Sequence, residues 1–208
     1  MSSAPFKAFV SSTYEDLKAH RAYVISVMRK AGIFVDPMED WTAESDEPKK
    51  FSQDRVTGCN FCVLLVALRR GYVPDRQNQS ITQLEYQAAL AQGMDILVYL
   101  LDEDSPWPHR FVEIDKDPGV REWRQTLEKN HGRQLFGLDP SSIEIAPAIT
   151  RWVEKQASKA VAVGEDWIQL VSNLLDLPKN DPDTWVTCSS PRMMIRSKSI
   201  APKVRPLS

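Results

Sequence analysis

The stretch FKAFVSSTYEDLKAHR, residues 6–21, decides how this chain folds. A short apolar run, residues 7–10, has the length and the residue types of a buried strand. It stops at Ser11-Ser12-Thr13 and passes straight into a segment that turns from acidic to basic, matching the polarity of a helix along its dipole. Leu17, Val24, Val27, Met28 and Ala31 recur at helical spacing, so a helix is expected from about residue 14 to residue 31. Thr13 suits its N-cap, Glu15 and Asp16 its first turn, and Gly32 its stop. A strand that hands three hydroxyls to a helix start makes a site for an anion or a sugar edge. There the first backbone N–H groups have no partner within the helix.

The same alternation continues outward from this unit. Strands are expected at residues 33–36, 61–68, 96–101 and 134–136, and the second of these is apolar on both faces and therefore central. An acidic loop (residues 38–47) and a helix after Pro48 precede that central strand. Further helices are expected at about 82–92, 120–129 and 143–155, the last presenting Ile145, Ile149, Trp152 and Val153 to the sheet. The fold class is α/β: a three-layer flavodoxin-like sandwich around a five-stranded parallel sheet of order 2-1-3-4-5. This domain is expected to span residues 1–157. A linker with a short amphipathic helix follows at 158–178, and then a basic tail, 179–208, of disordered composition. Between Pro191 and Ser208 there are five Lys or Arg and no acid.

The bulk composition narrows the function classes. With 208 residues, 42% hydrophobic and 26% charged, the chain can bury one real core. A formal net charge of -2 gives no general attraction for nucleic acid or an anionic membrane. No apolar run is long enough to cross a bilayer and no secretory leader is seen, so a cytoplasmic protein without a membrane partner is expected. Cys59, Cys62 and Cys188 read as reduced thiols, because the C-x-x-C pair has no second ligand pair. Histidines 20, 109 and 131 are scattered, so no metal site is expected. Neither a P-loop nor a G-x-G-x-x-G fingerprint is present, which argues against an ATPase or an ordinary dinucleotide dehydrogenase.

In an open parallel sheet, ligands bind beyond the carboxyl ends of the strands, where the strand order reverses. Ser11, Ser12 and Thr13 follow strand one, Glu39 follows strand two, and Arg70 and Tyr72 follow strand three. Thr82 and Glu85 begin the next helix, and Asp16 begins the first. The strand interiors are apolar, so these polar residues gather on one rim. Each also has a plain structural reading. Thr13 can simply cap a helix, and Asp16 and Arg21 can be solvated or paired locally. Thr82 and Glu85 have the T-x-x-E spacing of a capping box.

The blocks F-V-S-S-T-Y-x-D-L-x-x-H-R, M-E, R-x-G-Y-V-P and S-I-T-x-L-E-Y-x-x-A, in this order, resemble the domain of unknown function family 4062. The resemblance is strong over residues 6–102 and looser through L-D-E-D-S-P-W-P and beyond. It implies the fold of Toll/interleukin-receptor (TIR) domains and nucleoside deoxyribosyltransferases, and an N-terminal-type module of bacterial signalling and defence proteins. In those relatives a glutamate on a helix after a central strand acts at the anomeric carbon of a nucleoside or NAD ribose. By resemblance that role falls on Glu85. This chain reads Arg69-Arg70-Gly71-Tyr72 where the family shows R-Y-G, and Gln83 stands where an acid is common.

Two functions follow as expectations. One is a signalling or defence module with a nucleotide- or NAD-ribose-binding cleft that acts by assembly, through its helices and a surface including Trp107 and Trp167. The other is an N-glycosidic hydrolase or transferase in which Glu85 is catalytic and Ser11, Ser12, Thr13 and Arg70 hold ribose or phosphate. In both, NAD or a nucleotide is the ligand and self-association or a partner protein the interaction.

Overall fold

Residues 7–12 are extended because one parallel neighbour pairs along residues 8–12 and a second pairs at residues 7–8. In the structure, a computed structural model that describes residues 6–35 and 56–163, β1 (Lys7–Ser12) pairs in parallel with β2 (Phe34–Val35) and with β3 (Phe61–Val66). β3 pairs with β4 (Asp95–Leu101), which pairs with β5 (Leu135–Phe136). The order is β2-β1-β3-β4-β5, all parallel, as expected for a flavodoxin-like sheet. All six residues of β3 are buried, which fits its apolar sequence and its central place.

The connecting helices are α1 (Lys18–Lys30), α2 (Ile81–Ala91), α3 (Pro118–His131) and α4 (Ile145–Val163). Alternation along the strands divides the core into two layers. On one face Ala8, Val10, Val63 and Leu65 pack with Val24 and Met28 of α1 and with Ile149 and Trp152 of α4. On the other face Leu64, Val66 and Leu100 pack with Tyr86 of α2 and Leu127 of α3, while Phe9 and Cys62 meet Ala89.

Several boundaries differ from the sequence expectation. β1 runs two residues further, because Ser11 and Ser12 stay in register with Leu64 and Leu65 of the long central strand. α1 begins only at Lys18, after a turn, and its N-cap residue Leu17 contributes no side-chain cap bond. Thr13 is therefore not a helix cap. At the other end α4 continues to Val163, past the expected stop near residue 155. Asp95, at the start of β4, holds this helix through Trp152 Nε1 (3.0 Å), Lys155 Nζ (2.8 Å) and Gln156 Nε2 (3.1 Å). The acidic loop with Glu39, most of the helix expected after Pro48, the 166–177 helix with Trp167, and the basic tail lie outside the described residues.

Candidate functional site

The helix that carries Glu85 is capped without it. Ser80 is the N-cap of α2: its hydroxyl accepts from Gln83 N, and the Gln83 side chain accepts from Ser80 N in return. The capping box is Ser80 with Gln83, displaced by two residues from the Thr82/Glu85 box that the sequence equally allows. Thr82 and Glu85 are turned inward instead, 5% and 6% exposed.

Glu85 points at the end of β1. The Ser11 hydroxyl donates to its Oε2 at 2.5 Å, and Ser11 is fully buried. Ser11 lies on the α2 face of the sheet, in register with Leu64 of β3, so the pair sits at the crossover between β1 and β3. This is where an open sheet of this order binds its ligands. Cys62 is a close neighbour: burial pushes its thiol up, and the charge of Glu85 pushes it further. Its reactivity is thereby suppressed.

The neighbouring residues take the opposite face. Ser12 accepts from Arg21 Nη1 at 3.0 Å, and the same nitrogen reaches Val10 O at 3.2 Å. Arg21, which the sequence allowed as a solvated residue, is 2% exposed and braces the end of β1. Beyond it, Thr13 and Asp16 turn inward near Arg69, whose Nη1 lies 4.0 Å from Asp16 Oδ1. The Asp16 side chain is fully buried and burial raises its pKa; the Thr13 hydroxyl is near enough to lower it, but no well-formed hydrogen bond joins them. Gly71, at φ 80°, allows the loop after β3 to close over this point, since a Cβ there would meet Thr13 Cγ2 at 2.7 Å.

Arg70 and Tyr72 are not drawn in with Glu85. The Arg70 guanidinium pairs with Asp117 at 3.1 Å and donates to the Asn78 carbonyl, and its backbone N–H donates to Glu113 at 2.8 Å. It ties its own loop to the start of α3. Tyr72 is 64% exposed. Trp107, expected on a contact surface, is buried instead at 9% exposure and packs at a tilt against His20.

Sequence reasoning missed Arg124. It is 2% exposed and donates to Val66 O (3.3 Å), Ala67 O (3.1 Å) and Leu101 O (2.6 Å), with Glu103 at 3.5 Å. It closes the carboxyl ends of β3 and β4 as Arg21 closes that of β1. The signal was present: Val120, Arg124 and Leu127 lie at helical spacing, so the arginine occupies a core position of α3.

Among the described residues no group of His, Cys, Asp and Glu could hold a metal, and no helix is long and apolar enough to cross a membrane. A family model described as "Domain of unknown function (DUF4062)" matches residues 7–144. A search of curated proteins by sequence found no match. Among solved structures, the chain is similar to the TIR domains of the activated Roq1 resistosome directly recognizing the pathogen effector XopQ. The identity is 11%, the match covers 82% of this chain and 84% of that one, and the TM-score is 0.36. The fold assignment therefore rests on strand order and register.

Proposed function

Because the chain belongs to the DUF4062 family, a domain of unknown function matched over residues 7–144, its activity has to be read from its own site, and we propose that it is a ligand-binding module of the signalling or defence kind. Its ligand is a nucleotide or NAD-like ribosyl compound, held at the β1/β3 crossover. The observation that carries this reading is the Ser11–Glu85 hydrogen bond at 2.5 Å. Burying a glutamate is costly, and Glu85 is 6% exposed. Glu85 does not cap its helix; it reaches the end of β1 at the crossover. Buried carboxylates placed beside a binding crevice are functional candidates for this reason.

A second reading, favoured by the same pair, is N-glycosidic cleavage. The bond between the anomeric carbon and the base nitrogen breaks, its electrons leave with the base, and water supplies the oxygen that replaces it. Glu85 would stabilise the cationic sugar, oriented by the Ser11 hydroxyl. Incubation of the protein with NAD or nucleosides, followed by chromatography, separates the two readings. Base release lost in Glu85→Gln supports the hydrolase. Ligand binding without release supports the module alone, and absence of both refutes the site.

A further inference from the structure

On the opposite face of the sheet from Ser11–Glu85, we infer a sugar-hydroxyl subsite formed by Thr13, Asp16, His20, Arg69 and Trp107, suited to the vicinal diol of a ribose. Thr13 Oγ1, both carboxylate oxygens of Asp16, His20 Nδ1, Arg69 Nε and Trp107 Nε1 are all buried with no hydrogen-bond partner. Native proteins leave few buried polar atoms unpaired, so six converging atoms from the β1–α1 turn, α1, and the loops after β3 and β4 mark a place where something else completes the bonding.

The chemistry of these atoms selects the guest. His20 Nε2 lies 3.1 Å from the Gly137 carbonyl, which can only accept, so Nε2 carries the proton. Burial lowers the His20 pKa, and the neutral ring leaves Nδ1 as an acceptor. The acceptors are therefore Asp16 and His20 Nδ1, and the donors are Arg69 Nε–H and Trp107 Nε1–H, with Thr13 able to serve as either. A phosphate would face the Asp16 and His20 lone pairs, and a metal ion would face the Arg69 and Trp107 hydrogens. Adjacent hydroxyls, each both donor and acceptor, accept from both N–H groups and donate to two of the three acceptors, leaving the third to the Thr13 hydroxyl. Arg69 stands 4.0 Å from Asp16 and 3.7 Å from Glu113, distances that a hydroxyl can bridge. Since none of these atoms meets solvent, a guest reaches them only through a local opening of the surrounding side chains.

The ribosyl class of the ligand rests on the proposed function, whereas the subsite rests on its own residues. The test follows the indole N–H resonance of Trp107, assigned as the one lost in Trp107→Phe, during titration with adenosine and with 2′,3′-dideoxyadenosine. Adenosine should shift it, and the dideoxy compound should act at least tenfold more weakly. Asp16→Asn should abolish the adenosine response. Equal responses to the two nucleosides, no response to either, or a full response in Asp16→Asn overturns the subsite and leaves a network satisfied by water. Should Asp16→Asn fail to fold, the two nucleosides on the natural protein still decide. Glu85→Gln reports separately on the proposed function, so either inference can fall without the other.

Discussion

Arg124→Met removes a guanidinium that serves both central strands while keeping much of the volume of its stem. Three strand-end carbonyls, of Val66, Ala67 and Leu101, lose a charged donor inside the protein. Each unsatisfied buried group costs about 1–3 kcal/mol, and Val66 and Ala67 share one nitrogen. Methionine packing and rehydration of the half-exposed Glu103 return part of this. The net expectation is a loss of about 4 kcal/mol, from two donor nitrogens at roughly 2 kcal/mol each. For a domain of this size that corresponds to a fall in Tm of about 8–16 °C, at roughly 2–4 °C per kcal/mol. Urea unfolding followed by circular dichroism measures it, with an unchanged m-value confirming the same transition. Glu103→Gln serves as the contrast and should cost under about 1 kcal/mol, because that carboxylate is accessible to water. If Arg124→Met loses less than about 1 kcal/mol, the carbonyls are hydrated and the stapling role assigned to Arg124 is wrong.

Three further outcomes are expected. Gly71→Ala combines a φ of 80° with a 2.7 Å contact to Thr13 and should lose about 2–3 kcal/mol; a stability within error of the natural protein in urea would show that the loop does not close on Thr13. Burial raises the Asp16 pKa above its ordinary 3.8, so its contribution is fully present below that value and is lost as pH rises through the folded pKa. Asp16→Asn should therefore raise Tm at pH 7, with the gain vanishing in acid; a lowered Tm at pH 7 would contradict it. The Asp95 pKa is lowered, chiefly by the Lys155 bond, so its contribution is present above 3.8 and is lost as pH falls through the depressed value. Asp95→Asn should lower Tm at neutral pH and flatten the acid limb of the Tm-against-pH curve, and an unchanged limb would refute the link.

The strands and their order were legible because each is a short apolar run, and the chirality of parallel connections leaves few arrangements of five such runs. Helix starts were less so. Thr13 and Asp16 look like a cap and a first turn, yet pairing with β3 carries β1 on through Ser12, and the turn that follows buries the Thr13 hydroxyl and the Asp16 carboxylate. α2 holds two overlapping boxes, Ser80 with Gln83 and Thr82 with Glu85. Local spacing does not choose between them, whereas burial of Thr82 and Glu85 against the sheet does. The meeting of Ser11 with Glu85 followed from topology: the end of β1 and the helix after β3 flank the same crossover. The separation of Ser11 from Ser12 followed from strand alternation, which sends one to Glu85 and the other to Arg21. Buried Arg21 and Arg124 were readable only as charges on apolar stripes.

In the proposed function Glu85, held by Ser11, is part of a ligand cleft rather than an internal strut. Thermal unfolding with and without ADP-ribose, on the natural protein and on Glu85→Gln, tests it directly. At a hundredfold excess over Kd a ligand stabilises by about 2.7 kcal/mol, so Tm should rise by about 5–11 °C in the natural protein and far less in the variant. An equal rise in both proteins, or none in either, would contradict the claim.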